Sequence, residues 1–217
     1  GVEVPIVAHE LAEPDKGTGI AMICTFGDIT DVTWWRELDL PTRAIIGRNG
    51  RIVADAAGTP VVSSDLVNEG GGIQVDGAGT VLLTDTVQLD PGRNPGRSRA
   101  EVETELARTI GTTHAVWLPR GLTRDSERFG TRGHVDIVAA ITSPGRLLLH
   151  TQTDPSHPDY QVCREIRAAL EGTHDAAGQE WQITEMPAPA TLTDAEGYVD
   201  YSYINHLVVN GGVIACG

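Results

Sequence analysis

Residues 68–84 read NEGGGIQVDGAGTVLLT and residues 133–151 read GHVDIVAAITSPGRLLLHT. Each stretch opens on glycine beside ionisable side chains, runs into apolar residues, breaks at a glycine-bearing turn and returns as a second apolar run. That is the pattern of a β-hairpin. In the first stretch, strands are predicted over 71–75 and 80–84, around the turn Asp76-Gly77-Ala78-Gly79. In the second they are predicted over 135–141 and 147–151, around Ser143-Pro144-Gly145-Arg146.

The order of elements after each hairpin also repeats. Ser98-Arg99-Ala100-Glu101 has the spacing of a capping box, and Val102, Leu106 and Ile110 recur every four residues as the apolar stripe of a helix that Gly111 stops. HAVWL at 114–118 is then a short apolar strand ending at Pro119. After the second hairpin, 160–170 predicts a helix and 181–185 a strand that runs to Pro187. A third hairpin opens over 201–208, turns at Asn210-Gly211-Gly212 and begins its return in 213–215. Strand, strand, helix, strand is thus a module of about 60 residues, and modules of this kind complete their cores only against neighbours. The fold class expected is α/β, a partial α/β propeller, with open edges that invite self-association.

Residues 1–55 break this rhythm. They are expected to form a separate, short β-rich segment, joined near 52–60 to a second domain over 56–217. The balance of 16 basic and 30 acidic residues gives a net charge of -14, a field that repels phosphate backbones and draws small cations. Nucleic-acid binding by bulk charge is excluded on that ground. No apolar run reaches the roughly 20 residues of a membrane helix. Cys24, Cys163 and Cys216 are widely spaced with no CxxC pair, which favours a reduced cytosolic setting over a disulfide framework or zinc ribbon.

Glu69 precedes the first predicted strand of one module, and His134 and Asp136 lie at the equivalent place in the next. On a strand, residues two apart point the same way, so His134 and Asp136 are expected to share a face and to meet Glu69 in one pocket. A histidine between carboxylates suits a planar guanidinium or amidinium, which donates fork-like hydrogen bonds while the imidazole moves protons. Two ligands do not define a metal site, and no third accompanies His134 and Asp136. Trp117, Tyr201, Tyr203 and Asn205 are expected on strands near the same axis, candidates to line an aliphatic chain.

The ordered series NEGGGIQVDGAGTVLLT, LDPGRNPGRSRAEVE, VWLPRGL, GHVDIVA, DPSHPDYQ and SYINHLVVNGGVI resembles, over about 57–217, the body of agmatine deiminases of the guanidine-modifying superfamily. The resemblance implies a pentein-like five-module α/β propeller. It implies hydrolysis of agmatine to N-carbamoylputrescine and ammonia, with no metal or cofactor. By it, Glu69 holds the guanidinium, His134 is general acid and base, and Asp136 binds the guanidinium nitrogens. The family's thiolate nucleophile sits in a GGGNIHC-like motif that is not found here. Cys216 does not match that position, and Cys163 is expected in the core. Impaired turnover is therefore expected, with a non-catalytic module that binds a small cation or merely associates as the alternative.

In the first segment, GTGIAMICTFGDITDVTWWRELDLPTRAIIGRNGRI lacks a P-loop ending and resembles part of a valyl-tRNA synthetase editing domain. That resemblance implies a grip by Asp31 on the amino group of an aminoacyl adenosine, with Thr18 and Thr25 nearby. Asp28 and Asp31 equally suit the cap of a helix opening at Val32. The whole chain then reads as a mosaic of two unrelated motif series, the first a remnant of a tRNA-editing domain.

Overall fold

The computed structural model describes residues 33–34, 36–39, 62–126, 130–190, 192–209 and 212–215, with side chains described outside 207–215. The chain divides into two compact units, and the second, Ser63–Cys216, holds almost all of the described residues. In the first unit, residues 33–34 and 36–37 are helical, the Leu38 N–H donates to the Trp34 carbonyl at 2.9 Å, and Trp34 is buried. The predicted helix after Val32 is present there. The β-rich segment expected over 1–55, and Thr18, Thr25, Asp28 and Asp31 with it, otherwise lie outside the described residues.

The first module runs β1 (Ile73–Val75), β2 (Thr80–Thr84), α1 (Asp85–Gln88), α2 (Arg99–Ile110) and β3 (His114–Leu118). β1 and β2 pair antiparallel with Ile73 opposite Leu83, and β2 pairs parallel with β3 from Thr80–His114 to Thr84–Leu118. The hairpin closes on the Asp76 carboxylate, whose Oδ1 accepts from the Ala78 and Thr80 N–H groups at 2.7 and 2.9 Å. Gly77 and Gly79 supply the positive φ values of 72° and 112° that such a tight turn demands. The capping box at the start of α2 is complete, with Ser98 and Glu101 bonding reciprocally, and Gly111 ends the helix at φ 75°.

The second module repeats the order with β4 (Ala139–Ser143), β5 (Arg146–Thr151), α3 (Asp159–Leu170) and β6 (Gln182–Pro187). Again an antiparallel hairpin is followed by a parallel crossover, β5 on β6. Beyond it lie two small hairpins, β7 (Thr193–Asp194) with β8 (Gly197–Tyr198), and β9 (His206–Val209) with β10 (Gly212–Ala215).

Alternation along β2 explains how the modules join. Val81 and Leu83 face Val102 and Leu106 of their own helix, whereas Leu82 points the other way into the core of the second module. There it packs with Val116 and Leu118 of β3 against Leu147, Leu149, Val162 and Ile166. All five β2 residues are therefore buried, one face by α2 and the other by the neighbouring module. Each such aliphatic side chain contributes about 1.5–3 kcal/mol on burial.

Four expectations need correction. Residues 71 and 72 are not strand: Gly70–Gly72 is a 3-10 turn, called η1 here, with the Gly72 N–H bonded to the Glu69 carbonyl at 3.0 Å. Residues 135–137 are not strand either, because Val135–Ile137 forms another such turn, η3, after η2 (Arg124–Ser126), and β4 begins only at Ala139. Tyr201, Tyr203 and Asn205 precede β9 rather than lying on it, and Ile110, placed on the apolar stripe, is 48% exposed at the last residue of α2. The described residues form an α/β set of separate three- and two-stranded sheets, with no closed ring among them.

Candidate active site

Both modules open on a 3-10 turn, and the two turns meet. A Cβ built on Gly71 of η1 would sit on His134 Nδ1 and 2.7 Å from Asp136 Oδ2. Gly71 is thus bare because the imidazole and carboxylate of the second module fill the space. In the glycine run beside Glu69, Gly71 makes room for protein side chains. His134 caps η3 and Asp136 lies within it, so neither stands on a strand. Successive side chains of a 3-10 turn are about 120° apart, so alternation does not bring them together; packing against Gly71 does.

Glu69 reaches the same place from the residue before η1. Its Oε2 lies 3.2 Å from His134 Nε2, while Arg93 Nε donates to Oε1 at 2.7 Å and to Oε2 at 3.1 Å. The carboxylate assigned by resemblance to an incoming guanidinium is thus already engaged by one from its own module. Free lone pairs remain on a side chain that is 42% exposed. Burial works to raise the Glu69 pKa, but the hydrogen bonds from Arg93 and His134 outweigh it and hold the carboxyl below its usual range. Asp136 behaves in the opposite sense: burial pushes its pKa up, the nearby His134 opposes that, and Asp125 adds to it.

A cavity of about 460 Å³ opens beside these groups, lined by His134, Asp136, Asp125, Asp200, Tyr203 and Asn205 among others. Two of the four aromatic and amide candidates are therefore at the site. Tyr201 is not in the lining and is 49% exposed. Trp117 is also elsewhere, donating through Nε1 to Glu103 at 2.7 Å beneath the Arg99 guanidinium.

Arg93, Asp125 and Asp200 carried no sequence signal that separated them from other surface charges. Asp125, 8% exposed, is the hub of the loop that carries His134: its carboxylate accepts from the N–H groups of Thr131, Gly133 and His134 at 2.9, 3.0 and 2.8 Å. Thr84 of β2 holds that loop from the other side, donating to the Gly133 carbonyl at 2.8 Å. Asp200 has its pKa raised by burial and by the charge of Asp125.

Cys163 lies in the core, as expected. It accepts from the Gln152 N–H at 3.3 Å, and burial pushes its pKa to about 11, which keeps it a neutral thiol. Cys24, Cys216 and Asp31 lie outside the described residues. Among the described residues no group of three or more His, Cys, Asp or Glu side chains is arranged to hold a metal ion, and no helix is long and apolar enough to cross a membrane.

The mixed α/β fold of these modules matches solved deiminase structures. The agmatine deiminase of Enterococcus faecalis superposes with a TM-score of 0.62 at 32% identity, over 70% of this chain and 45% of that one. The chain belongs to the Porphyromonas-type peptidyl-arginine deiminase family, whose model matches residues 35–217. An agmatine deiminase homologue from Streptomyces coelicolor is 58% identical over 167 residues, which is 76% of this chain and 49% of the relative. A stretch of 56 residues, 26% of the chain, is 86% identical to the valine–tRNA ligase of Leifsonia xyli and covers 6% of that enzyme. The chain spans about half the length of the curated deiminase relatives it matches.

Proposed function

We propose that this chain carries the guanidinium-binding and proton-transfer residues of an agmatine deiminase-type amidine hydrolase, the reaction being agmatine plus water to N-carbamoylputrescine plus ammonia. The observation that carries the reading is the convergence of Glu69, His134 and Asp136 from two modules around Gly71, beside an acid-lined cavity. Glu69, kept ionised by Arg93, and Asp136 accept hydrogen bonds from the planar cation. A guanidinium against Asp136 favours its ionised form and so opposes the burial that raises its pKa. His134, with Nε2 against Glu69, passes protons to the leaving ammonia and from the incoming water. The thiolate that attacks carbon in the family reaction is not among the described residues, and Cys163 is no candidate for it. In this reading the modules are two members and the start of a third of a pentein-like propeller.

Titration calorimetry with agmatine tests the proposal. Heat of binding is expected, and Glu69→Gln should weaken the affinity about tenfold or more, the equivalent of one charged hydrogen bond. No heat from the parent chain, or full affinity in Glu69→Gln, overturns it. Heat without ammonia release marks a module that binds the cation and does not turn it over.

A further inference from the structure

Glu69 and His134 come from different modules, and neither module's own backbone fixes the 3.2 Å between them. One side chain spans the gap. Arg93, only 16% exposed, places Nε on the Glu69 carboxylate and Nη2 on the Thr131 carbonyl at 2.8 Å, in the loop that leads to His134. The remaining polar atoms of Thr131 are also committed: its N–H and hydroxyl donate to Asp125 at 2.9 and 2.6 Å, and the His134 N–H reaches its hydroxyl at 3.2 Å. Between these residues, Arg132 takes a left-handed φ of 75° and donates its N–H to the Asp125 carbonyl at 2.9 Å, so the loop wraps one buried carboxylate. A residue other than glycine in that region is strained and persists only where its surroundings enforce it.

We propose that Arg93, Thr131 and Asp125 form a positioning relay that sets Glu69 against His134 across the module boundary, with Thr131 as the knot. Arg93 serves because its guanidinium offers two donors in a rigid fork, one for each module; a lysine offers a point charge and no fixed angle. Asp125 makes no hydrogen bond to Glu69 and acts on it through the loop. The catalytic meaning of the relay rests on the roles proposed above for Glu69 and His134, whereas its geometry does not.

The Glu69 carboxyl is the reporter, followed by carbon-detected NMR titration of the whole chain. Charged groups around it are Arg93 and His134 in contact, Asp90 at 3.9 Å from Arg93, and Asp136 and Asp125 beyond His134. Arg93→Met should raise the Glu69 midpoint, and Arg93→Lys should raise it less. Asp125→Asn should raise it as well, because His134 is no longer held against the carboxylate, although loss of the Asp125 charge works in the opposite direction. Thr131→Val deletes only the hydroxyl bonds at nearly constant volume and tests the same link if Asp125→Asn does not fold. An unmoved Glu69 midpoint in Thr131→Val, which changes no charge, with native amide spectra, overturns the relay and leaves the deiminase reading standing. Absence of agmatine binding with the midpoint shifts present leaves the relay standing and removes the deiminase reading.

Discussion

Gly71 is the residue on which the site turns, since the missing side chain is the space that His134 and Asp136 occupy. Gly71→Ala meets the ends of two side chains rather than backbone, so the chain should fold and agmatine affinity should fall about tenfold or more, as calorimetry would show. The two carboxylates make opposite predictions with pH. Asp136 has a raised pKa in the folded chain, so its contribution to stability is full at low pH and is lost as pH rises through that value. Asp136→Asn should therefore melt a few degrees above the parent at neutral pH, the gap closing toward the acid range. Glu69 has a lowered pKa, so its contribution is present above the ordinary carboxylate range and lost as pH falls through the folded value. Glu69→Gln should melt below the parent at neutral pH and converge with it in acid, and scanning calorimetry at both ends of the range decides each case.

Among the elements, α2 was legible to the residue. Ser98, Glu101 and Gly111 are punctuation with a local physical cause, and the structure places each where its chemistry requires. Ser98→Ala should cost about 1 kcal/mol in urea denaturation by leaving the Glu101 N–H without its partner. The strands β2 and β3 were equally plain, being short apolar runs between turn residues. The 3-10 turns η1 and η3 were not. Three residues are too few for any periodicity to show, and GGG or VDI next to an apolar run reads as the start of the strand. Strand alternation is therefore not what brings His134 and Asp136 to the one cavity that both line. Trp117 lies on β3 as expected but not at the site, because the strand's two faces see different neighbours and this ring turns toward Glu103 and Arg99.

For the whole molecule, the net charge of -14 bears on ligand capture rather than on fold. Raising ionic strength tenfold should weaken agmatine binding several-fold by screening the acidic cavity, with Asp200→Asn reducing that salt dependence, and calorimetry at two salt concentrations checks both. The sequence by itself determined the repeated hairpin, helix and strand, the turns between them, and the three residues Glu69, His134 and Asp136 worth watching, because propensity, capping and hydrophobic period act over a few neighbouring residues. Only the tertiary structure decided that Arg93 shares Glu69, that Asp125 shapes the His134 loop, and that Leu82 faces the second module rather than its own helix. The two hydrogen bonds join residues 24 and 9 apart in the chain, and Leu82 packs on residues still further along it. Nothing in a local pattern encodes which loop another module will bring within 3 Å, and the packing of β2 between its helix and its neighbour is what brings the two turns together at Gly71.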